Sequence, residues 1–146
     1  MRARDDLGRG GWRLNIWQGD FPHRNTREDG WLTTAPAAAY RPNGYGLHNT
    51  VGNVWEWCAD WFDPGYYAQS PVRDPRGPAA GTHRVLRGGS FLCHDSYCNR
   101  YRNSARSRNT PDSSVGNAGF RTAGRSTSVA RPGAASPRPS RPTTTA

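Results

Sequence analysis

A nine-residue segment near the middle of the chain alternates apolar and polar side chains, as a strand does. From 54 to 62 the sequence reads VWEWCADWF. A period of two puts one set of side chains on each face: Trp55, Trp57, Ala59 and Trp61 on the first, and Glu56, Cys58 and Asp60 on the second. The pattern predicts a strand with a tryptophan-lined core face and a solvated opposite face. A helical turn at residues 49–53 is predicted to precede it.

The rest of the chain shows short strand signals separated by turn-forming residues. Residues 84–87 (RVLR) predict a strand that Gly88 and Gly89 end, and residues 119–122 (GFRT) are the next strand candidate. Residues 14–45 carry no sustained period, residues 63–82 contain four prolines, and residues 109–117 are polar, so these segments are predicted to be loops. We therefore expect a mixed α+β fold with little regular secondary structure.

Composition divides the 146 residues into one domain and two flanking segments. Residues 1–11 are charged and rich in glycine, which predicts a flexible N-terminal segment. Residues 12–122 contain every tryptophan and tyrosine of the chain and are expected to form the domain. Residues 123–146 have four arginines, four prolines, no acid and no aromatic residue, which predicts a disordered basic tail.

The basic character of the chain is moderate once the tail is set aside. The net charge is +9, of which the four tail arginines contribute +4 and the rest of the chain +5. Every lysine-or-arginine position is arginine, a bias that high-GC coding also produces. The stripe of Arg100, Tyr101, Arg102, Arg106 and Arg108 resembles a phosphate-contacting surface, but it is short, so we expect no nucleic-acid partner.

Other features bear on compartment and partners. The chain has no apolar run long enough for a membrane span, and its first residues lack the hydrophobic segment of a signal peptide. Three cysteines do not indicate a disulfide scaffold. We expect a cytoplasmic protein without a membrane partner, and the sequence leaves the oligomeric state open.

A pair of cysteines with four residues between them is the strongest chemical feature of the chain. Between residues 84 and 108 six arginines accompany one acid, Asp95, which predicts a field that favours the thiolates of Cys93 and Cys98. In a strand their α carbons would lie roughly 16 Å apart, and in a helix their side chains would point about 140° apart. The two cysteines can therefore act together only if residues 94–97 loop back.

Several interpretations compete for these cysteines. The pair can be two buried small apolar residues. A zinc site is a further option, but it needs four ligands with paired short spacings, and only Cys58 and scattered histidines remain to complete it. Cys58 itself is expected to pack within the predicted strand.

Five blocks of sequence occur in the order and spacing of one known family. They are Asn15–Gly19, Asn43–Leu47, Asn49–Trp57, Arg87–Phe91 and Asn109–Ser114. With the cysteine pair, they resemble the formylglycine-generating enzymes, also called sulfatase-modifying factors. The resemblance implies a C-type-lectin-like fold and covers about the C-terminal half of the family's catalytic domain, so a partial domain is expected.

The resemblance implies an oxygen-dependent enzyme that acts on unfolded sulfatases. It would oxidise the cysteine of a Cys-x-Pro-x-Arg motif to Cα-formylglycine, with molecular oxygen as co-substrate. Cys93 and Cys98 would be catalytic and would bind Cu(I), a soft ion that two thiolates suit, with Cys98 the more exposed. Ser90 and Tyr97 match further active-site positions. Arg100 and Asn117 match positions that bind the substrate.

The same resemblance implies two structural calcium sites, and calcium takes oxygen ligands of this mixed kind. The first comprises the side chains of Asn15 and Asp29 with the carbonyls of Ile16 and Trp31. The second comprises the side chains of Asn49 and Glu56 with the carbonyls of Gly52 and Val54. Because the wider superfamily includes noncatalytic members, a binding module or an inactive remnant is the alternative to an enzyme.

Overall fold

Short strands in two sheets make up the regular structure of residues 11–124, the part of the chain that the computed structural model describes. The strands are β1 (Gly19–Asp20), β2 (Arg24–Asn25), β3 (Trp55–Trp61), β4 (Arg84–Arg87), β5 (Ser107–Asn109) and β6 (Ala118–Gly119). Strands β1 and β2 form an antiparallel pair. The four-stranded sheet has the order β5-β4-β3-β6, in which only β3 and β6 run parallel.

The predicted central strand is present, but its tryptophan face is not the core. The register of β3 against β4 shifts between Trp57 and Trp61, so the alternation along the strand breaks and Ala59 is exposed. The three tryptophans are half-buried, and the guanidinium of Arg84 lies 3.5 Å from the centroid of the Trp61 ring. The buried apolar residues lie elsewhere among the described residues: Ile16, Ala35, Val85, Leu86 and Cys93.

The strand at residues 84–87 ends where the glycine pair predicts. Val85 and Leu86 are buried at its centre. Gly88 and Gly89 follow with φ angles of 89° and 72°, a region that residues with a side chain rarely adopt. A Cβ on Gly88 would lie 2.9 Å from the Thr50 carbonyl oxygen, so the backbone passes too close to Thr50 for a side chain.

Other local predictions differ from the structure. The predicted helical turn at residues 49–53 does not form, because Asn49, Gly52 and Asn53 all have positive φ. Strands β1 and β2, in a segment predicted to be loops, and strand β5 were not predicted, and β6 begins one residue before the predicted candidate and is two residues long. The only helix within residues 11–124 is a 3-10 turn at Tyr66–Ala68. The predicted scarcity of regular structure is confirmed.

Two further observations bound the fold. Within the described range, no helix is both long enough and apolar enough to cross a membrane. The predicted flexible segment 1–11 and basic tail 123–146 lie almost entirely outside the described residues, so both stay predictions.

A buried asparagine with positive φ joins three loop segments. Asn53 has a φ of 61° and is 7% exposed. Its Oδ1 accepts hydrogen bonds from the Ala35 N–H at 2.8 Å and the Asn15 Nδ2 at 3.1 Å, and its Nδ2 donates to the Ala35 carbonyl at 3.2 Å. Its backbone N–H donates to the Asn15 carbonyl, and its carbonyl accepts from the Phe91 N–H. Asn53 therefore satisfies backbone groups of neighbouring loops, which in a sheet would be hydrogen-bonded to an adjacent strand.

We expect Asn53→Ala to lower the free energy of unfolding by about 3 kcal/mol, because it leaves the buried N–H and carbonyl of Ala35 without their partner and removes one of the two hydrogen bonds that Asn15 Nδ2 donates. Urea titration of both proteins measures this loss. Asn43→Ala is the matched control, since its exposed side chain accepts only from the nearby N–H groups of Tyr45 and Leu47 and should cost less than about 1 kcal/mol. Equal losses for the two variants would contradict the role given to Asn53.

Candidate active site

A tight turn brings the two cysteines together. The His94 carbonyl accepts hydrogen bonds from the N–H groups of Tyr97 at 3.0 Å and Cys98 at 2.7 Å, which reverses the chain. The two thiols lie close enough to interact, since Cys98 contributes to the raised pKa of Cys93, and both are free rather than joined in a disulfide. Residues 94–97 thus loop back as joint action of the pair requires.

Cys93 is enclosed by backbone. It is 1% exposed, and its sulfur accepts a hydrogen bond from the Ser90 N–H at 3.4 Å. A Cβ on Gly89 would lie 3.2 Å from the Cys93 sulfur and 3.1 Å from the Tyr101 backbone nitrogen. Gly89 therefore lets the chain pass directly against the sulfur, which a residue with a side chain would prevent.

The electrostatic prediction for this thiol was wrong. Burial, followed by the hydrogen bond with Cys98, raises the pKa of Cys93 to about 12. The nearby guanidiniums are directed elsewhere, since Arg100 donates to the Arg106 carbonyl and Arg102 to the Asn99 carbonyl. Loss of solvation outweighs the surrounding positive charge, so Cys93 holds its proton at neutral pH.

Ser90 and Asn117 lie directly beside the buried cysteine. Ser90 is fully buried, and its Oγ accepts hydrogen bonds from the Asn117 Nδ2 at 3.0 Å and the Leu92 N–H at 3.3 Å. The Ser90 carbonyl accepts from the Cys93 N–H at 2.9 Å. Asn117 also accepts, through its carbonyl, the N–H of Trp55 at the start of β3. Asn117 thus links the Ser90 hydroxyl to the start of β3.

An aromatic cluster supports the exposed tip of the cysteine loop. The Tyr97 ring, 70% exposed as a residue, stacks on Phe21 with centroids 4.8 Å apart, and the His94 ring lies 6.4 Å from Phe21. Trp17 meets Phe21 edge-on at 5.2 Å, and its backbone N–H donates to the Cys93 carbonyl at 3.0 Å. Sequence reasoning missed Trp17 and Phe21 as site residues, although both lie in or just after the block at residues 15–19.

Arg100 lies at the rim of the site rather than against the thiols. Its backbone N–H donates to the Cys98 carbonyl at 2.8 Å. Its exposed guanidinium donates to the Arg106 carbonyl at 2.9 Å. The sequence-predicted residues Ser90, Cys93, Tyr97, Cys98, Arg100 and Asn117 therefore lie in one region of the molecule.

The first predicted calcium set contains an unsatisfied carboxylate oxygen. Asp29 Oδ1 accepts from the Trp31 N–H at 2.9 Å, whereas Asp29 Oδ2 is buried without a hydrogen-bond partner. Burial and the charge of Asp29 raise the pKa of Tyr40 to about 12. A buried, uncompensated carboxylate oxygen is costly, and a cation would satisfy it. The residues Asn15, Ile16, Asp29 and Trp31 fit a calcium ion in this respect.

The second predicted set lies along a cavity of about 460 Å³ whose wall includes Asn49, Val54 and Glu56. Here the carboxylate already has a partner. Both oxygens of Glu56 accept hydrogen bonds from the guanidinium of Arg121, which also donates to the His48 carbonyl at 3.0 Å. Arg121 thus balances the charge of Glu56. The second set, which comprises Asn49, Gly52, Val54 and Glu56, therefore has no unpaired carboxylate oxygen like that of Asp29 in the first set.

The zinc alternative finds no support in this part of the chain. Within residues 11–124, no three side chains of histidine, cysteine, aspartate or glutamate converge as metal ligands. Cys58 is half-buried within β3, apart from the pair, and burial raises the pKa of its thiol.

We expect iodoacetamide at pH 8 to alkylate Cys98 well before Cys93. With a pKa of about 12, only about one Cys93 in ten thousand is a thiolate at that pH, and the sulfur is buried. Peptide mapping by mass spectrometry measures the order. In denaturant the three thiols should react at similar rates, and equal rates for Cys93 and Cys98 in the native protein would contradict the prediction.

The raised pKa of Cys93 also gives a sign to the pH dependence of stability. Because the folded state holds the Cys93 proton more tightly than the unfolded chain does, the protonated thiol stabilises the fold. This contribution to the free energy of unfolding is complete below pH 9.0 and is lost as the pH rises to about 12.

Comparison with known proteins places the chain in a family. The family model for the sulfatase-modifying factor enzyme 1-like domain matches residues 4–126. A formylglycine-generating enzyme of Streptomyces coelicolor is 72% identical over 120 residues, which are 82% of this chain and 38% of that protein. An inactive C-alpha-formylglycine-generating enzyme 2 of Mus musculus is 40% identical over 114 residues, covering 76% of this chain and 32% of that one.

A solved structure supports the same assignment of the fold. Treponema denticola variable protein 1 superposes with a TM-score of 0.52 and 36% identity, covering 62% of this chain and 32% of that chain. The present chain thus spans less than half of the length of the proteins it matches. It belongs to the sulfatase-modifying factor family and forms part of that family's formylglycine-generating-enzyme fold.

Proposed function

We propose that this chain carries the active site of an oxidase that converts the cysteine of a Cys-x-Pro-x-Arg motif in a sulfatase polypeptide to Cα-formylglycine. The observation that carries the proposal is the pair of free thiols that the turn at residues 94–97 brings together, one buried and one half-exposed. A formylglycine-generating enzyme is a relative at 72% identity, which supports the same chemistry.

The reaction balances with one thiol reductant. The substrate CH₂–SH becomes an aldehyde and its sulfur leaves as hydrogen sulfide. O₂ accepts two electrons from the substrate and two from a dithiol, and the net products are the aldehyde, hydrogen sulfide, one water and the oxidised dithiol. An assay of this chemistry therefore needs oxygen and a thiol reductant together.

Copper is the cofactor that the two thiols fit. Two converging sulfurs suit a soft monovalent ion, and the pair has no disulfide to block it. When bound, Cu(I) would supply the redox centre at which the substrate sulfur and oxygen react. Because Cys93 is protonated at neutral pH, its proton must leave when the sulfur becomes a ligand.

Each neighbouring residue has a definite task in this proposal. The Ser90 N–H orients the Cys93 sulfur, and Asn117 holds the Ser90 side chain. Cys98 is the half-exposed thiol that an incoming substrate cysteine meets. The Tyr97 ring, supported by Phe21, forms an apolar wall next to it. The Gly89 backbone passes against the Cys93 sulfur, and the burial of Cys93 keeps water from it.

A noncatalytic binding module is the second candidate function. It is favoured by the relative that is an inactive formylglycine-generating enzyme and by the partial coverage of the relatives' length. This alternative expects a folded protein that binds the motif and never converts it.

The chain should convert a Cys-x-Pro-x-Arg peptide when supplied with copper, oxygen and dithiothreitol. Cys93→Ser and Cys98→Ser should each lower the rate by at least about 100-fold, because each removes one of two metal ligands. Mass spectrometry follows the mass loss of thiol-to-aldehyde conversion. Cys58→Ser is the matched control and should keep the wild-type rate. A folded wild-type chain that binds Cu(I) yet converts no peptide would favour the binding module.

Calcium should stabilise the chain through the first predicted set. We expect calcium to raise the melting temperature and a chelator to reverse the effect, because Asp29 Oδ2 then gains a partner. Asp29→Asn should abolish the calcium response in differential scanning fluorimetry. Asp20→Asn, in the exposed strand β1, is the control and should leave the response intact. A calcium response that Asp29→Asn does not reduce would assign the ion to another site, such as the second predicted set.

A further inference from the structure

A cluster of arginines and aromatic rings lies beside the active site. We define the arginine–aromatic face by Phe62, Tyr67, Arg100, Arg106 and Arg108. The guanidinium carbon of Arg106 lies 4.7 Å from the centroid of the Phe62 ring and 4.4 Å from that of Tyr67. The guanidinium carbon of Arg108 lies 4.7 Å from the Phe62 centroid. Aromatic rings thus hold both guanidiniums in place.

The arginines of this face are tethered but not neutralised. Arg106 donates to the Asp63 carbonyl at 2.5 Å, and Arg100 donates to the Arg106 carbonyl at 2.9 Å. Among the described residues, none of the three arginines forms an ion pair with a carboxylate. The neighbouring acid, Asp63, has its Oδ1 engaged by the Gly65 N–H. Each guanidinium therefore has further N–H groups available, fixed in a plane that matches a carboxylate.

The position of the face connects it to the cysteines. Arg100 follows Cys98 by two residues and is hydrogen-bonded to its carbonyl at 2.8 Å. Arg108 lies on β5, the edge strand of the sheet, and is exposed. A polypeptide with its cysteine at Cys98 can therefore continue past Arg100 onto Arg106 and Arg108.

The chemistry of the face favours a peptide over a nucleic acid. Nucleic-acid strands bind by stacking bases on open aromatic rings. Here both Arg106 and Arg108 lie over Phe62, so its ring is already taken, and Tyr67 is shared with Arg106. What the face offers is a row of stacked guanidiniums, which suits side-chain carboxylates.

We propose that the arginine–aromatic face is a docking site for acidic side chains that flank the cysteine motif of the client polypeptide. This rests on the proposed function and extends it, because it names the subclass of clients that the site prefers: chains with aspartate or glutamate near the motif. The face contributes affinity and leaves the chemistry to the cysteines.

Fluorescence anisotropy with the whole chain tests the docking without any turnover. The probes are labelled peptides with serine in place of the motif cysteine, carrying a flank of four glutamates before or after the motif, or four glutamines instead. At low salt we expect one acidic peptide to bind about tenfold more tightly than its glutamine counterpart, an advantage that 0.5 M salt removes.

Arg108→Gln is the first variant, because the only contact of its guanidinium that the structure gives is with Phe62. It should lower the ratio of affinities between the acidic and the glutamine peptide about threefold. Adding Arg106→Gln should bring this ratio close to one. Arg84→Gln is the matched control. Arg84 also stacks on an aromatic ring, Trp61, but it pairs with Asn109 in the sheet and so lies on the face opposite to Arg108. Circular dichroism verifies that each variant is folded.

Three results would overturn the proposal. They are equal affinity for acidic and glutamine peptides, equal weakening by Arg84→Gln and Arg108→Gln, and an oligonucleotide that binds as tightly with the same dependence on Arg108. Because the probes lack the reactive cysteine, failed conversion together with Arg108-dependent binding would refute the proposed oxidase and support the docking site.

Discussion

The pairing of Asn15 with Asn53 holds the loops that carry the cysteine site. Two hydrogen bonds join these residues, one between side chains and one between backbones. The Asn53 carbonyl then accepts the N–H of Phe91, next to Ser90, while the segment of Asn15 continues to Trp17, whose N–H bonds the Cys93 carbonyl. In a fold with so few strands, both sides of the cysteine turn depend on this pair.

The site separates two thiols that are only five residues apart by giving them different solvation. Cys93 sits under Gly89 and against Ser90, and its thiol is kept neutral. Cys98 is half-exposed at the other end of the turn. A pair arranged in this way has one sulfur anchored in the protein and one available to a partner from solution. That asymmetry is what the proposed oxidation of a substrate thiol requires, and it arises from burial rather than from neighbouring charge.

Local patterns in the sequence predict part of this architecture. The alternation at residues 54–62, the glycine pair after Arg87 and the required turn at residues 94–97 all depend on neighbours along the chain, and each corresponds to a feature of the structure. The failures have a different cause. The stacking of Phe21 on Tyr97 and the bonds of Asn53 to Ala35 join residues that are distant in sequence, so no local pattern indicates them. The acidity of Cys93 was misjudged because arginines can be counted in a sequence, whereas burial cannot.

The parallel pairing of β3 with β6 has a consequence for the order of assembly. Trp55 meets Ala118 across this pair, and Asn117 reaches Ser90 from the same segment. Parallel neighbours so far apart in the chain close a long loop, which is a slow step in folding. During synthesis the hydroxyl of Ser90 lacks its amide partner until residue 117 has emerged from the ribosome. The cysteine turn is thus translated before the residue that holds the Ser90 hydroxyl, and this part of the site is completed only once residues 117–119 have been made.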